Sequence, residues 1–166
     1  VVGEGSELLI EKAGQAILQL PVENNGHLTI SKAVTKAFMY KGYTQANTGT
    51  LTFEIGKNGD NAVFGPMNIV QEQALALDGE LHVNLVDGYL PDAGKKIEVI
   101  IYPTSVKRTG TFAEITSSVI SRRFTPEYSN LHVELITEVV ITAAPIPSLE
   151  PGTYGSSVNV ALFSAT

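Results

Sequence analysis

Apolar and polar residues alternate along most of this chain, in short runs separated by residues that favour turns. The clearest runs are residues 51–55 and 81–85, where every second side chain is apolar. Because successive side chains of a β-strand point to opposite faces, such runs predict strands with one buried and one solvated face. Similar runs occupy residues 8–10, 17–20, 28–30, 97–101, 131–135, 139–141 and 158–162. The pattern therefore predicts an all-β protein.

Two runs remain ambiguous between helix and strand. Residues 31–40 place Ala33, Val34 and Ala37 on one face of a helix, but they also divide into two strand pieces at Lys36. Residues 71–77 have the same ambiguity, which is normal for short apolar runs.

The spacing of the strands allows two all-β architectures. The early runs recur roughly every ten residues, about one face of a β-helix coil, without a strict repeat. An antiparallel β-sandwich or jelly roll has similar spacing. The alternation alone leaves both open.

The order of several short motifs favours the β-helix. Over residues 25–136, the chain resembles the C-terminal coils of autotransporter-type secreted β-helix passengers. The resemblance rests on Asn25-Gly26-His27, Gly42-Tyr43-Thr44-Gln45, Gly49-Thr50-Leu51, the block of residues 77–94, and Gly110-Thr111-Phe112 followed by residues 124–133. It implies a short right-handed parallel β-helix over residues 1–136, with residues 137–166 as a C-terminal β-cap or appendage.

The last strand has a second, shorter resemblance. Gly152-Thr153-Tyr154 precedes the alternating run 158–162, and this order is similar to the end of secreted β-sandwich pilins. It implies a subunit polymerised by strand exchange. We therefore predict Val158, Val160 and Leu162 as an assembly strand.

Composition restricts the functional classes. Hydrophobic residues make up 43% of the chain and charged residues 17%, which is typical of a folded protein. The net charge of −6 opposes nucleic-acid binding, and the absence of cysteine excludes disulfides. The chain has no apolar run of membrane-spanning length, so we predict no membrane insertion. No signal-peptide pattern is visible at residues 1–6, so a secreted protein would here be a mature form or a fragment.

Three groups of residues could bind a ligand. Asn58, Asp60 and Asn61 offer oxygen ligands for Ca²⁺ in a loop that also fits an ordinary turn. Asp87 and Tyr89 could contact a glycan. His82 and His132 could bind a metal if they stacked on adjacent coils.

These observations favour a structural role. No nucleophile elbow, P-loop or dinucleotide fingerprint occurs, so we predict no catalytic residue and no enzyme. We expect an extracellular or cell-surface module without a required cofactor, which displays, spaces or assembles into a fibre through β-edge pairing. The alternatives are the pilin-like subunit and a glycan-binding or glycan-cleaving module. The expected partners are copies of itself and surface glycans.

Overall fold

A computed structural model describes residues 1–59, 61–70 and 73–141, together with the backbone of 146–147 and 162–163. The described strands are β1 (Glu7–Ile10), β2 (Gly14–Leu18), β3 (Val22–Asn24), β4 (His27–Ile30), β5 (Val34–Met39), β6 (Tyr43–Gln45), β7 (Thr50–Asn58), β8 (Asn61–Val63), β9 (Met67–Ile69), β10 (Leu75–Leu77), β11 (Glu80–Leu85), β12 (Lys96–Ile101), β13 (Arg108–Gly110), β14 (Glu114–Ser117), β15 (Arg122–Tyr128), β16 (His132–Val139), β17 (Ile146–Pro147) and β18 (Leu162–Phe163). The predicted all-β class is confirmed. Among the described residues, no helix is long and apolar enough to cross a membrane.

The strands form three main sheets that the chain visits in a fixed order. Sheet 1 has the order β1-β4-β7-β11-β14, with β8 paired to β7. Sheet 2 has the order β2-β5-β9-β12-β16-β15, and sheet 3 the order β3-β6-β10-β13. The chain passes from sheet 1 to sheet 2 to sheet 3 and back, and we call each such passage a circuit. The strands β17 and β18 form a separate antiparallel pair.

Strands of successive circuits pair in parallel within each sheet. In sheet 1, Leu28 of β4 lies opposite Leu51 of β7, and Leu51 lies opposite Leu81 of β11. The alternative prediction of an antiparallel sandwich or jelly roll is therefore wrong for these sheets. Antiparallel pairing occurs at the β7–β8 hairpin and where β16 joins β12 and β15.

The core is a column of inward-facing side chains from all three sheets. Leu28, Leu51 and Leu81 are fully buried in sheet 1, as are Val34 and Met39 of β5 in sheet 2. Residues 31–40 therefore contain a strand rather than a helix, because β5 is paired on both sides by β2 and β9. The second ambiguous run likewise contains the strand β10.

The two sequence-predicted domains share a continuous strand at their boundary. Strand β16 crosses residues 136 and 137 without interruption. Pro126 lies in β15, which is an edge strand of sheet 2. A proline is tolerated there because its missing N–H removes no hydrogen bond from the interior of the sheet. The β15–β16 hairpin thus extends sheet 2 beyond the last complete circuit.

Thr137 offers a direct test of the packing in this hairpin. Its side chain is buried, and its hydroxyl has no hydrogen-bond partner within the described part of the chain. Because valine has the same shape without the unsatisfied hydroxyl, we expect Thr137→Val to raise the free energy of unfolding by about 1 kcal/mol. Urea denaturation measures this, with the exposed Thr44→Val as the matched control. A loss of stability specific to Thr137→Val would contradict the assignment.

Candidate functional site

The first circuit forms one end of the column, and its strands are the outermost members of the three sheets. Strands β1 and β2 each pair on one side only within the described sheets, whereas the outer side of β3 is bridged by Val2, which pairs in parallel with Asn24. An edge strand presents unpaired backbone N–H and C=O groups to whatever lies beside it. This end of the molecule can therefore accept further strands.

The core is incompletely covered at this end. Leu8 of β1 occupies the same inward position as Leu28 of β4, but it is 38% exposed whereas Leu28 is 0% exposed. Leu18 of β2 is half-buried, and Met39, its partner in β5, is fully buried. The difference arises because a further circuit covers each of the inner residues, and none of the described strands covers the first circuit.

Outward-facing and loop residues enlarge the apolar surface. Leu9 and Ile17 lie on the outer faces of β1 and β2, and Val1 and Leu20 are strongly exposed. A cleft of about 570 Å³ lies between β1 and β2, and a smaller apolar cleft of about 230 Å³ adjoins it. We call this surface the open end; it comprises Val1, Leu8, Leu9, Ile17, Leu18 and Leu20.

The opposite end of the core is covered by aromatic side chains. Phe112 and Phe124 are buried, and Tyr128 is half-buried against the core. The Phe112 amide donates to the Tyr128 hydroxyl at 3.1 Å, which fixes the ring of Tyr128 over the last circuit. Burial raises the pKa of Tyr128, so its hydroxyl stays protonated. The two ends of the described column therefore differ chemically.

The structure brings two of the predicted ligand sites close together. Asn58 and Asn61 pair at the tip of the β7–β8 hairpin, and Asp60 lies outside the described residues. A cleft of about 320 Å³ joins this hairpin to the corner that contains Tyr89, and its lining includes Lys57 and Lys95. Asp92 also lines this cleft, so its two ammonium groups face one carboxylate, and Ca²⁺ binding at the hairpin stays a prediction.

Asp87 and Tyr89 serve the local fold in ways that the sequence did not reveal. Asp87 has a φ of 54° in the turn before Tyr89 and forms a salt bridge with Lys32. Tyr89 is 6% exposed, so its ring offers little area for stacking on a sugar. Burial, and then the charge of Asp92, raises the pKa of Tyr89. Glycan contact by this pair stays a prediction.

The predicted stacking of His82 on His132 is wrong. His82 lies on β11 in sheet 1, and His132 lies on β16 in sheet 2, so no ladder joins them. The imidazole of His82 instead contacts the Thr116 hydroxyl at 2.6 Å. Period-two alternation fixes the face of a strand but not the sheet to which it belongs, which is why the sequence could not separate these residues.

His132 has acidic neighbours that the sequence did not indicate. Ligand atoms of Glu98, His132 and Glu134 lie within 4.8 Å of one another on the outer face of sheet 2. Lys96 contacts Glu134 at 2.7 Å and Glu127 at 3.0 Å, and these hydrogen bonds raise the pKa of Lys96. The lysine thus offsets the repulsion among carboxylates that lie opposite each other across the strands.

The predicted assembly strand lies mostly outside the described residues. Nothing is described of Val158 and Val160, and only the backbone of Leu162 is described, opposite Pro147. An open β-helix end that pairs with another subunit was expected from the sequence, but its residues were not identified, although Leu8-Leu9 and Ile17-Leu18 carried a signal for them. In each pair, adjacent apolar residues must point to opposite faces, so one of them faces away from the core.

Comparison with protein-family models and with curated proteins found no match to this chain.

Proposed function

We propose that the protein is an extracellular structural module, a short right-handed parallel β-helix that self-associates through its open end. The observation that carries the proposal is the exposure of Leu8 at a core position whose equivalent one circuit away is fully buried. Apolar core surface combined with unpaired strand edges favours strand addition. Parallel pairing of successive circuits and the right-handed preference of parallel crossovers support the β-helix assignment.

The occupant that we propose for the open end is a second copy of the chain. If two copies of β1 pair antiparallel about Leu9, the inward-facing Leu8 of one copy lies opposite the inward-facing Ile10 of the other. The two cores then continue into each other. Glu7 faces Glu11 in this pairing, a repulsion that salt screens, so association should strengthen as ionic strength rises. Contact through the same surface on both copies closes a two-fold dimer.

A fibre needs a second attachment point in addition to the open end. Aromatic residues cover the other end of the described core, so the geometry favours a dimer when the open end acts alone. The predicted strand of residues 158–162 would supply the second point if it exchanged between subunits. A fibre therefore requires both elements, and removing residues 156–166 should convert filaments into dimers.

The first test is light scattering after size-exclusion chromatography. We expect the unaltered chain to be a dimer or larger. We expect the double variant Leu9→Lys with Leu20→Lys to be a monomer, because the dissociation constant of its dimer is at least about tenfold higher. The reason is that the two ammonium groups introduced at position 9 would lie directly opposite each other across the paired strands, where like charges repel, and the one at position 20 would replace apolar surface of the open end. Both leucines are exposed, so the monomer fold should survive.

The matched control is Ile120→Lys. Ile120 is 89% exposed but belongs to the connection between β14 and β15, away from the open end. The control should leave the mass unchanged. A monomer at all concentrations for the unaltered chain, or loss of association in Ile120→Lys alone, would rule out self-association through the open end.

A further inference from the structure

A cleft of about 560 Å³, lined by both polar and apolar groups, lies at the end of the column away from the open end. Its walls are the connection from β12 to β13, the start of β13, and the turn between β15 and β16. All of these residues belong to the described part of the chain. The volume lies within the range of about 300–1,000 Å³ that is typical of small-molecule sites.

The charge of this cleft opposes the charge of the protein as a whole. The chain carries a net charge of −6, but Lys107 and Arg108 line the cleft and none of its lining residues is acidic. Thr104 and Thr109 add hydroxyl groups, and Asn130 adds an amide. The cleft therefore combines two cations with neutral groups that can donate and accept hydrogen bonds.

The guanidinium group of Arg108 is positioned by its neighbours. Its central carbon lies 4.5 Å from the centroid of the Tyr128 ring, and one terminal nitrogen donates to the carbonyl of Gly110. Its Nε–H is buried without a hydrogen-bond partner in the described part of the molecule. Stacking on Tyr128 thus fixes the plane of the guanidinium group beside the cleft, and a planar cation held in place suits the recognition of an oxyanion.

The opposite wall is held in place by hydrogen bonds. The Tyr102 hydroxyl donates to the carbonyl of Ser129 at 2.7 Å. The Ser129 hydroxyl oxygen accepts from the amides of Leu131 at 3.1 Å and His132 at 3.0 Å. The cleft is therefore built before any ligand arrives, and less ordering entropy opposes binding.

We propose that this cleft binds an acidic sugar unit of a glycan, with its carboxylate or sulfate group at Lys107 and Arg108. The volume exceeds what a small inorganic anion needs, and the hydroxyl and amide groups suit the remaining sugar hydroxyls. The site lies at the other end from the surface proposed for self-association. Its occupancy and the dimer can therefore be tested separately.

Titration followed by NMR or calorimetry at low ionic strength tests the proposal. The probes are glucuronate, glucose 6-sulfate, neutral glucose and inorganic sulfate. We expect one or both acidic sugars to bind, neutral glucose to bind at least about tenfold more weakly, and added salt to weaken binding. Glucuronate and the sulfate ester distinguish the two sources of negative charge.

Two variants and a matched control locate the site. Lys107→Gln removes an exposed cation without touching the core, and Arg108→Gln removes the stacked cation. Both should weaken binding of the acidic sugar at least about tenfold, while Lys57→Gln, in the other lysine-lined cleft, should leave it unchanged. Equal binding of glucose, equal binding of inorganic sulfate, no binding of either acidic sugar, or a loss in Lys57→Gln but not in Lys107→Gln would overturn the assignment.

Discussion

Gly79→Ala is expected to destabilise the protein by about 4 kcal/mol or more, because a methyl group there would collide with the backbone of the preceding circuit. A Cβ atom at Gly79 would lie 2.4 Å from the carbonyl oxygen of Gly49 and 2.6 Å from that of Ala46. Real Cβ atoms essentially never approach an atom so closely, and the backbone cannot yield as a flexible side chain can. Gly79 also has a φ of +61°, which disfavours residues with a Cβ.

The collision recurs at one corner of the fold. Gly26, Gly49 and Gly79 each directly precede a sheet 1 strand, and a Cβ at any of them would meet backbone oxygens of the circuit before it. The amide of Glu80 donates to the carbonyl of Gly49 at 2.9 Å, so successive circuits touch here through their backbones. A side chain at this corner would push the two circuits apart.

Gly88→Ala is the matched control. Gly88 has a φ of +65°, almost the same as Gly79, but no atom lies within 4 Å of the position that an added methyl group would occupy. We expect Gly88→Ala to lower the free energy of unfolding by only about 1–2 kcal/mol, the cost of placing a residue with a Cβ in a left-handed conformation. The chain has six tyrosines and no tryptophan, so urea unfolding can be followed by tyrosine fluorescence and circular dichroism. If Gly79→Ala and Gly88→Ala lowered the free energy of unfolding equally, the close contact between circuits at Gly79 would not explain the loss of stability.

Gln45→Met is expected to cost about 3 kcal/mol although it nearly preserves the length of the side chain. The buried amide nitrogen of Gln45 donates to the carbonyls of Gly49, Asp78 and Glu80 at 2.8–2.9 Å. Its oxygen accepts from the Tyr43 hydroxyl at 2.5 Å. Methionine would fill the space but leave these groups without their partner, and a buried polar group without a partner retains its full desolvation penalty.

The effect of Gln45 should depend on burial, and Gln19→Met tests this. Gln19 is exposed, so its replacement should change the free energy of unfolding by less than about 0.5 kcal/mol. The pKa of the Tyr43 hydroxyl provides a second readout. Burial raises this pKa above the usual value and keeps the hydroxyl protonated, so that it can donate to Gln45. If both glutamine variants unfolded at the same urea concentration, the carbonyl contacts of Gln45 would not be stabilising.

Much of the secondary structure follows from the sequence. The alternating runs at 51–55 and 81–85 lie inside β7 and β11, with the apolar residues buried as expected. This works because strand periodicity is a local property of the chain. The run 131–135 lies almost entirely inside β16, but nothing in it indicated that the strand would pair antiparallel with β12 while earlier partners pair in parallel.

The binding surfaces were less predictable than the strands. Lys107 and Arg108 looked like an ordinary basic pair in the sequence, since neither Tyr128 nor the turn at Ser129 is near them along the chain. Leu8 resembled any other core leucine, because burial depends on what covers a residue and not on the residue itself. Both features require knowledge of which segments are neighbours in space.

The sequence by itself determined the all-β class, most strand positions and the inward or outward face of the side chains in the regularly alternating runs. The tertiary structure alone decided the sheet to which each strand belongs, the exposure of the first circuit and the contacts around Gln45 and Gly79. The physical reason is that alternation depends on adjacent residues, whereas these contacts join circuits whose sheet 1 strands begin at Glu7, His27, Thr50, Glu80 and Glu114. Packing between such distant segments is set by the whole core and cannot be worked out from the alternation of neighbouring residues.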